Sequence, residues 1–168
     1  MSRTLLGTSA LAAAFAASIA ITPADAQTTL VKAANPFTEL GGTWSGGGEV
    51  HFSDGKSERI SCRAYYTPKG SGEEMGLAIR CASISYKIEI RANLMNENGR
   101  LSGRWEERTF NAEGDVTGKA SSGNIRMEIV GSGLTGSMSV SYGGSTQAVS
   151  ISTDGPSLKG VTINLSRG

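Results

Sequence analysis

Histidine, cysteine and proline are scarce in this chain: one His, two Cys and four Pro in 168 residues. A single histidine, His51, excludes a multi-histidine metal centre, and no second base or ligand accompanies it at useful spacing. Cys62 and Cys81 are not in a C-x-x-C arrangement, which argues against a redox-active pair. The formal net charge is only +1, without the basic excess of a general nucleic-acid binder. After residue 26 no segment of useful length repeats its apolar residues at the 3.6-residue period of a helix, so a helical fold is excluded. No Gly-x-Ser-x-Gly elbow precedes a helix. The glycine-rich run from Gly41 to Gly48 lacks the lysine and following helix of a phosphate loop. These absences set the expectation of a non-enzymatic protein with no metal and no cofactor.

The N-terminus carries one charge, Arg3, ahead of an apolar run from Leu5 to Ile21. Pro23 breaks the run, and Ala24-Asp25-Ala26 has the small-x-small form that signal peptidase cuts. This pattern predicts a cleaved signal peptide over 1–26, with mature protein beginning at Gln27. The apolar run, about 17 residues, is at the short end for spanning a bilayer, and no transmembrane segment is expected in the mature chain. The expected location is the periplasm or beyond, where two cysteines in a small domain form a disulfide. Residues 27–40 are weakly patterned and read as a leader that crosses or plugs one domain over 41–168.

Glycine, by contrast, is abundant, at 23 residues, and it is spaced rather than clustered. From Gly42 onward nearly every stretch alternates apolar and polar residues at period two. The alternation puts Trp44, Val50 and Phe52 on one face, then Ile60, Cys62, Ala64 and Tyr66, then Leu77, Ile79 and Cys81. A strand with Ile84, Tyr86, Ile88, Ile90 and Ala92 inward follows, and later strands bury Leu101, Trp105, Ile125, Met127, Met138, Val140, Val149, Ile151, Ile163 and Leu165. Turn residues separate these runs at Ser53–Lys56, Asn96–Gly99, Asn111–Gly114, Gly143–Gly144 and Asp154–Pro156. At Ala82-Ser83 the inward phase slips by one residue, which either a two-residue turn or a bulge in one long strand produces. Short apolar-x-Gly-x-apolar repeats, as in Leu101-Ser102-Gly103-Arg104-Trp105, mark bends of a curved sheet. The pattern predicts an all-β, antiparallel up-and-down meander of about 8–10 strands closing into a small barrel, with a β-sandwich as the alternative.

A hairpin around Gly70–Glu73 makes Cys62 face Cys81, Ala64 face Ile79 and Tyr66 face Leu77, so one register satisfies both the apolar pattern and the bridge. A hairpin at Asn96–Gly99 makes Ile90 face Trp105 and Ile88 face Glu107, which sends Glu107 inward. An enclosed carboxyl has its pKa raised by desolvation, whereas one at a wet barrel mouth does not. Trp44, Trp105, Tyr66, Tyr86 and Glu107 are the candidate ligand-binding residues. The outer face between Arg59 and Arg108 carries a local basic excess, suited to an anionic envelope polymer, lipid phosphate or plain solvent.

The strings Gly42-Thr43-Trp44-Ser45-Gly46, Cys62-Arg63-Ala64-Tyr65-Tyr66, Leu77-Ala78-Ile79-Arg80-Cys81 and Leu101-Ser102-Gly103-Arg104-Trp105-Glu106 resemble a group of small exported proteins of alphaproteobacteria. That resemblance spans nearly the whole mature chain; it implies a periplasmic location and assigns no site residue. Gly-x-Trp in the first strand is also similar to lipocalin and avidin barrels, and with one disulfide to periplasmic metalloprotease-inhibitor barrels. Two functions follow as expectations. One is a barrel that binds a small apolar or amphipathic ligand or an envelope component. The other is a protein-interaction or inhibitor module that engages a protein partner through the leader or the loop Thr67–Glu74.

Overall fold

The computed structural model describes residues 35–168; the expected signal peptide and the leader up to residue 34 lie outside the described residues. One short helix, α1 (Pro36–Leu40), precedes ten strands. They are β1 (Gly42–Phe52), β2 (Ser57–Lys69), β3 (Glu74–Ala82), β4 (Lys87–Glu97), β5 (Arg100–Glu107), β6 (Ala112–Ser121), β7 (Asn124–Gly131), β8 (Leu134–Gly143), β9 (Thr146–Thr153) and β10 (Leu158–Arg167). Each strand pairs antiparallel with its sequence neighbours, and β1 pairs with β10 to close the barrel. The period-two faces read from the sequence account for the core, which includes Trp44, Val50, Ile60, Cys62, Ala64, Tyr66, Leu101, Ile125, Met127, Val140, Val149, Ile163 and Leu165.

Closure depends on two glycines. A Cβ on Gly46 would collide with the carbonyl oxygen of Asn164, and one on Gly48 with that of Thr162. Both positions face β10 across the seam, so the strands approach closely only because no side chain stands between them.

The β2–β3 register is the one the alternation predicts. Cys62 pairs with Cys81, Ala64 with Ile79 and Tyr66 with Leu77, and the two cysteines form a disulfide with Cα atoms 4.1 Å apart. Two other expectations are corrected. The β4–β5 hairpin turns one residue later than expected, because Asn98 and Gly99 (φ 54° and 85°) form its tip, the pairing of positive φ values that a tight hairpin requires. Ile90 therefore opposes Glu107, and Ala92 opposes Trp105. The slip is two residues, so every face is preserved. The expected strand over Ile84–Ala92 begins only at Lys87. The phase slip near Ala82-Ser83 is a turn, closed by Ser83 N donating to the Tyr86 carbonyl at 2.8 Å with Ile84 and Ser85 between them. Ser83 Oγ accepts from the N–H groups of Ser85 and Tyr86, and Ser85 Oγ donates to Glu58. Such local side-chain bonds outcompete a strand ladder, leaving Ile84 fully exposed and Tyr86 44% exposed.

The helix seals one end of the barrel. Asn35 caps it by accepting from Phe37 N at 3.0 Å, and Pro36 occupies its first turn, a position that needs no N–H. Phe37 and Leu40 are buried in the barrel core. Trp44 lies beneath them and donates Nε1–H to the Leu40 carbonyl at 2.7 Å. Arg167 donates to the carbonyls of Glu39 and Gly41, satisfying helix C-terminal acceptors that would otherwise be orphaned.

Candidate barrel-mouth site

The five candidate residues do not form one constellation. Trp44 and Tyr66 belong to the end sealed by α1. Trp44 is 1% exposed, with its one donor already used. Tyr66 is buried and donates its hydroxyl to Gln147 Oε1 at 3.0 Å. Burial pushes its pKa up to about 12, outweighing the opposing effect of that hydrogen bond. Gln147 is itself 3% exposed and escaped notice in the sequence, where a glutamine between Thr146 and Ala148 carries no signal.

Tyr86, Trp105 and Glu107 belong to the opposite end. There Val50 and Ile60 are buried, but Phe52, Ile79, Trp105, Met138, Ile151 and Leu158 pack against the core while only partly buried. Trp105 points inward from β5 and lies against Gly114, where a Cβ would come within 2.8 Å of its indole nitrogen. That nitrogen is buried without a hydrogen-bond partner among the described residues. The expectation of an inward Tyr86 is corrected: it sits in the β3–β4 turn, at the rim. Its ring is 5.9 Å from Phe52 and 6.3 Å from Phe110, spacings at which tilted aromatic pairs attract. Phe110, 61% exposed, is the rim residue the alternation missed, because it lies in the β5–β6 turn outside any periodic run.

Glu107 links the wall to this rim. It is 8% exposed, yet its carboxylate is fully engaged. Oε1 accepts from Glu89 N at 3.1 Å and Thr109 N at 3.0 Å, and Oε2 accepts from Phe110 N at 2.7 Å. Burial acts to raise its pKa, but the backbone donors of Phe110, Thr109 and Glu89 outweigh it and hold the carboxyl below its ordinary value of 4.5. The side chain is thus neither a protonated pocket acid nor an idle wetted one. It is an anion that folds the β5–β6 turn around itself and thereby sets the position of Phe110.

Among the described residues, no three His, Cys, Asp or Glu side chains come together to hold a metal ion. No helix among them is long and apolar enough to cross a membrane. No protein-family model matches this chain, and neither does any curated protein. Solved structures do match. One is the S-type phycobiliprotein lyase CPES from Guillardia theta, at 12% identity and a TM-score of 0.55, covering 79% of this chain and 90% of that one. At that identity the likeness is one of fold.

Proposed function

We propose that this protein is a non-enzymatic, exported β-barrel of the periplasm that binds an apolar or amphipathic ligand, or an envelope component, at the end away from α1. The observation that carries this reading is the contrast between the two ends. Most inward residues near the helix are almost wholly buried, with Leu77 and Ala120 the partly buried ones, whereas at the other end Ile79, Trp105, Met138, Ile151 and Leu158 all keep contact with solvent. Apolar surface held at the mouth of a barrel is unfavourable in water, and an apolar ligand body seated there removes it. Glu107 contributes by positioning the lip, since its oxygens are taken. The disulfide supports an oxidising compartment. The lyase from Guillardia theta offers a precedent for the architecture, and no activity is carried over from it.

Tryptophan emission tests the proposal. In Trp44→Phe protein, Trp105 is the sole reporter, and oleate or a naphthalene-sulfonate dye should shift or quench its emission saturably. The second reading, a protein-interaction or inhibitor-like module, is favoured by the exposure of Ile84 and Phe110 at the rim. An unresponsive Trp105, together with a stoichiometric protein that co-purifies and is lost in Ile84→Ser/Phe110→Ser, supports that reading instead.

A further inference from the structure

The outside of the wall formed by β1–β4 has a chemistry that the barrel interior does not use. The register aligns Ser45, Arg63, Arg80 and Glu89 in one outward row and Gly47, Ser61, Ala82 and Lys87 in the next. Three of the four residues in the second row are small, so the sheet is hollow there. The hollow is a solvent-open depression of ≈ 740 Å³ whose border includes Arg63, Arg80, Lys87, Tyr65 and Ser61 together with one carboxylate, Glu89.

Its charges are unbalanced. Arg63 and Arg80 stand directly opposite each other on neighbouring strands, a placement in which like charges repel. The acid that meets Arg80, Glu89, lies 3.4 Å away. That carboxylate also serves Arg91 at 2.8 Å and Arg108 at 3.7 Å. Among the described residues neither Arg63 nor Lys87 forms an ion pair. Two unpaired cations and a third whose acid is shared therefore border one hollow that also offers hydroxyl donors.

We infer that this depression binds a phosphate group, free or esterified. A guanidinium donates two parallel N–H bonds to a tetrahedral oxyanion, an ammonium adds a compact charge, and serine and tyrosine hydroxyls donate to the remaining oxygens. A dianion suits a site with more cations than one carboxylate balances, and its arrival relieves the repulsion between Arg63 and Arg80. The site is on the outer face of strands whose inner face forms the barrel core, so it stands whether or not the mouth binds an apolar ligand.

Inorganic phosphate titrated into the disulfide-bonded protein, followed by calorimetry and phosphorus NMR, should show saturable binding that weakens as salt is raised. Arg63→Gln and Arg80→Gln should each weaken it by about tenfold or more. Arg63→Lys should weaken it less, and Arg126→Gln, an exposed arginine on β7, should leave it unchanged. Circular dichroism of these surface variants confirms that the barrel is intact. Vesicles of phosphatidylglycerol and of phosphatidylcholine separate the two sources. Flotation with the first alone, lost in Arg63→Gln, without binding of inorganic phosphate, assigns a lipid headgroup. Binding of inorganic phosphate without flotation assigns a soluble phosphate. Failure of both probes, or binding that survives both Arg63→Gln and Arg80→Gln, overturns the inference.

Discussion

The guanidinium of Arg167 lies over the ring of Trp44, 4.3 Å from its centroid, and the two residues are register partners across the seam between the first and last strands. The same guanidinium holds the carbonyls of Glu39 and Gly41. One side chain therefore fastens the helix, the first strand and the last strand together.

Arg167→Ala should destabilise the barrel by about 1–2 kcal/mol, combining an exposed cation–π contact with the loss of hydrogen bonds to two helix carbonyls. Urea unfolding measures the change, and a red-shifted Trp44 emission in the native state should report loosening of the helix. Arg167→Lys should recover only part of the loss, since an ammonium does not reproduce the planar fork. A variant as stable as the wild type would show that α1 is held by Phe37 and Leu40 alone.

Glu107→Gln should destabilise the protein at neutral pH by about 1–3 kcal/mol, because an amide cannot accept all three backbone N–H bonds as an anion does. The pH dependence has a definite sign. The folded carboxyl titrates below its ordinary value of 4.5. Its contribution is therefore complete above that value and is lost as pH falls through the folded pKa. Wild type and Glu107→Gln should converge in stability on acidification. A difference that stays constant or widens in acid would mean that the carboxylate is not held as an anion.

At the sealed end, Tyr66→Phe should cost about 1–2 kcal/mol by leaving Gln147 Oε1 buried without its donor. The paired change Tyr66→Phe/Gln147→Leu should cost less than the sum of the single changes, since both halves of the bond leave together. Thermal melts of the four proteins complete the cycle, and strict additivity would mean that the two groups do not interact.

Gly48→Ala should destabilise by about 1–3 kcal/mol, because the added methyl forces β1 and β10 apart. Gly144→Ala tests the contrast. Nothing stands within contact distance of that position, and the only strain comes from its positive φ of 56°, so the loss should be smaller. Equal losses would place the difficulty in glycine's backbone freedom rather than in the seam.

The sequence made the barrel legible because one face of each strand is buried, and period two survives wherever that holds. Cys62 and Cys81 added a second constraint on the same hairpin, so its register was readable to the residue. Asn98-Gly99 was legible in kind but was placed one residue early, since Asn96 also tolerates a turn and alternation is blind to an even slip. Ile84 and Tyr86 misled because they continue the period, while the serines beside them bind the backbone locally and end the strand. The Asn35-Pro36 pair is a helix-start signal, but five residues are too few for a periodic face. The site was less legible than the fold. Glu107 stood out correctly as an inward acid, yet its partners are backbone N–H groups, which a sequence does not distinguish.

Every strand pairing except one joins neighbours in sequence, so those hairpins form over short loops at small entropic cost. The seam that sets Gly46 and Gly48 against β10 unites the two ends of the domain and is the single long-range ladder. Its closure is the step most delayed by chain entropy, which predicts that hairpins form first and the ring closes last. Changes at Gly48 or Arg167 should then hasten unfolding while leaving the folding rate nearly untouched. The lifetime of the native ring, and with it resistance to proteolysis, should then be governed by that one join.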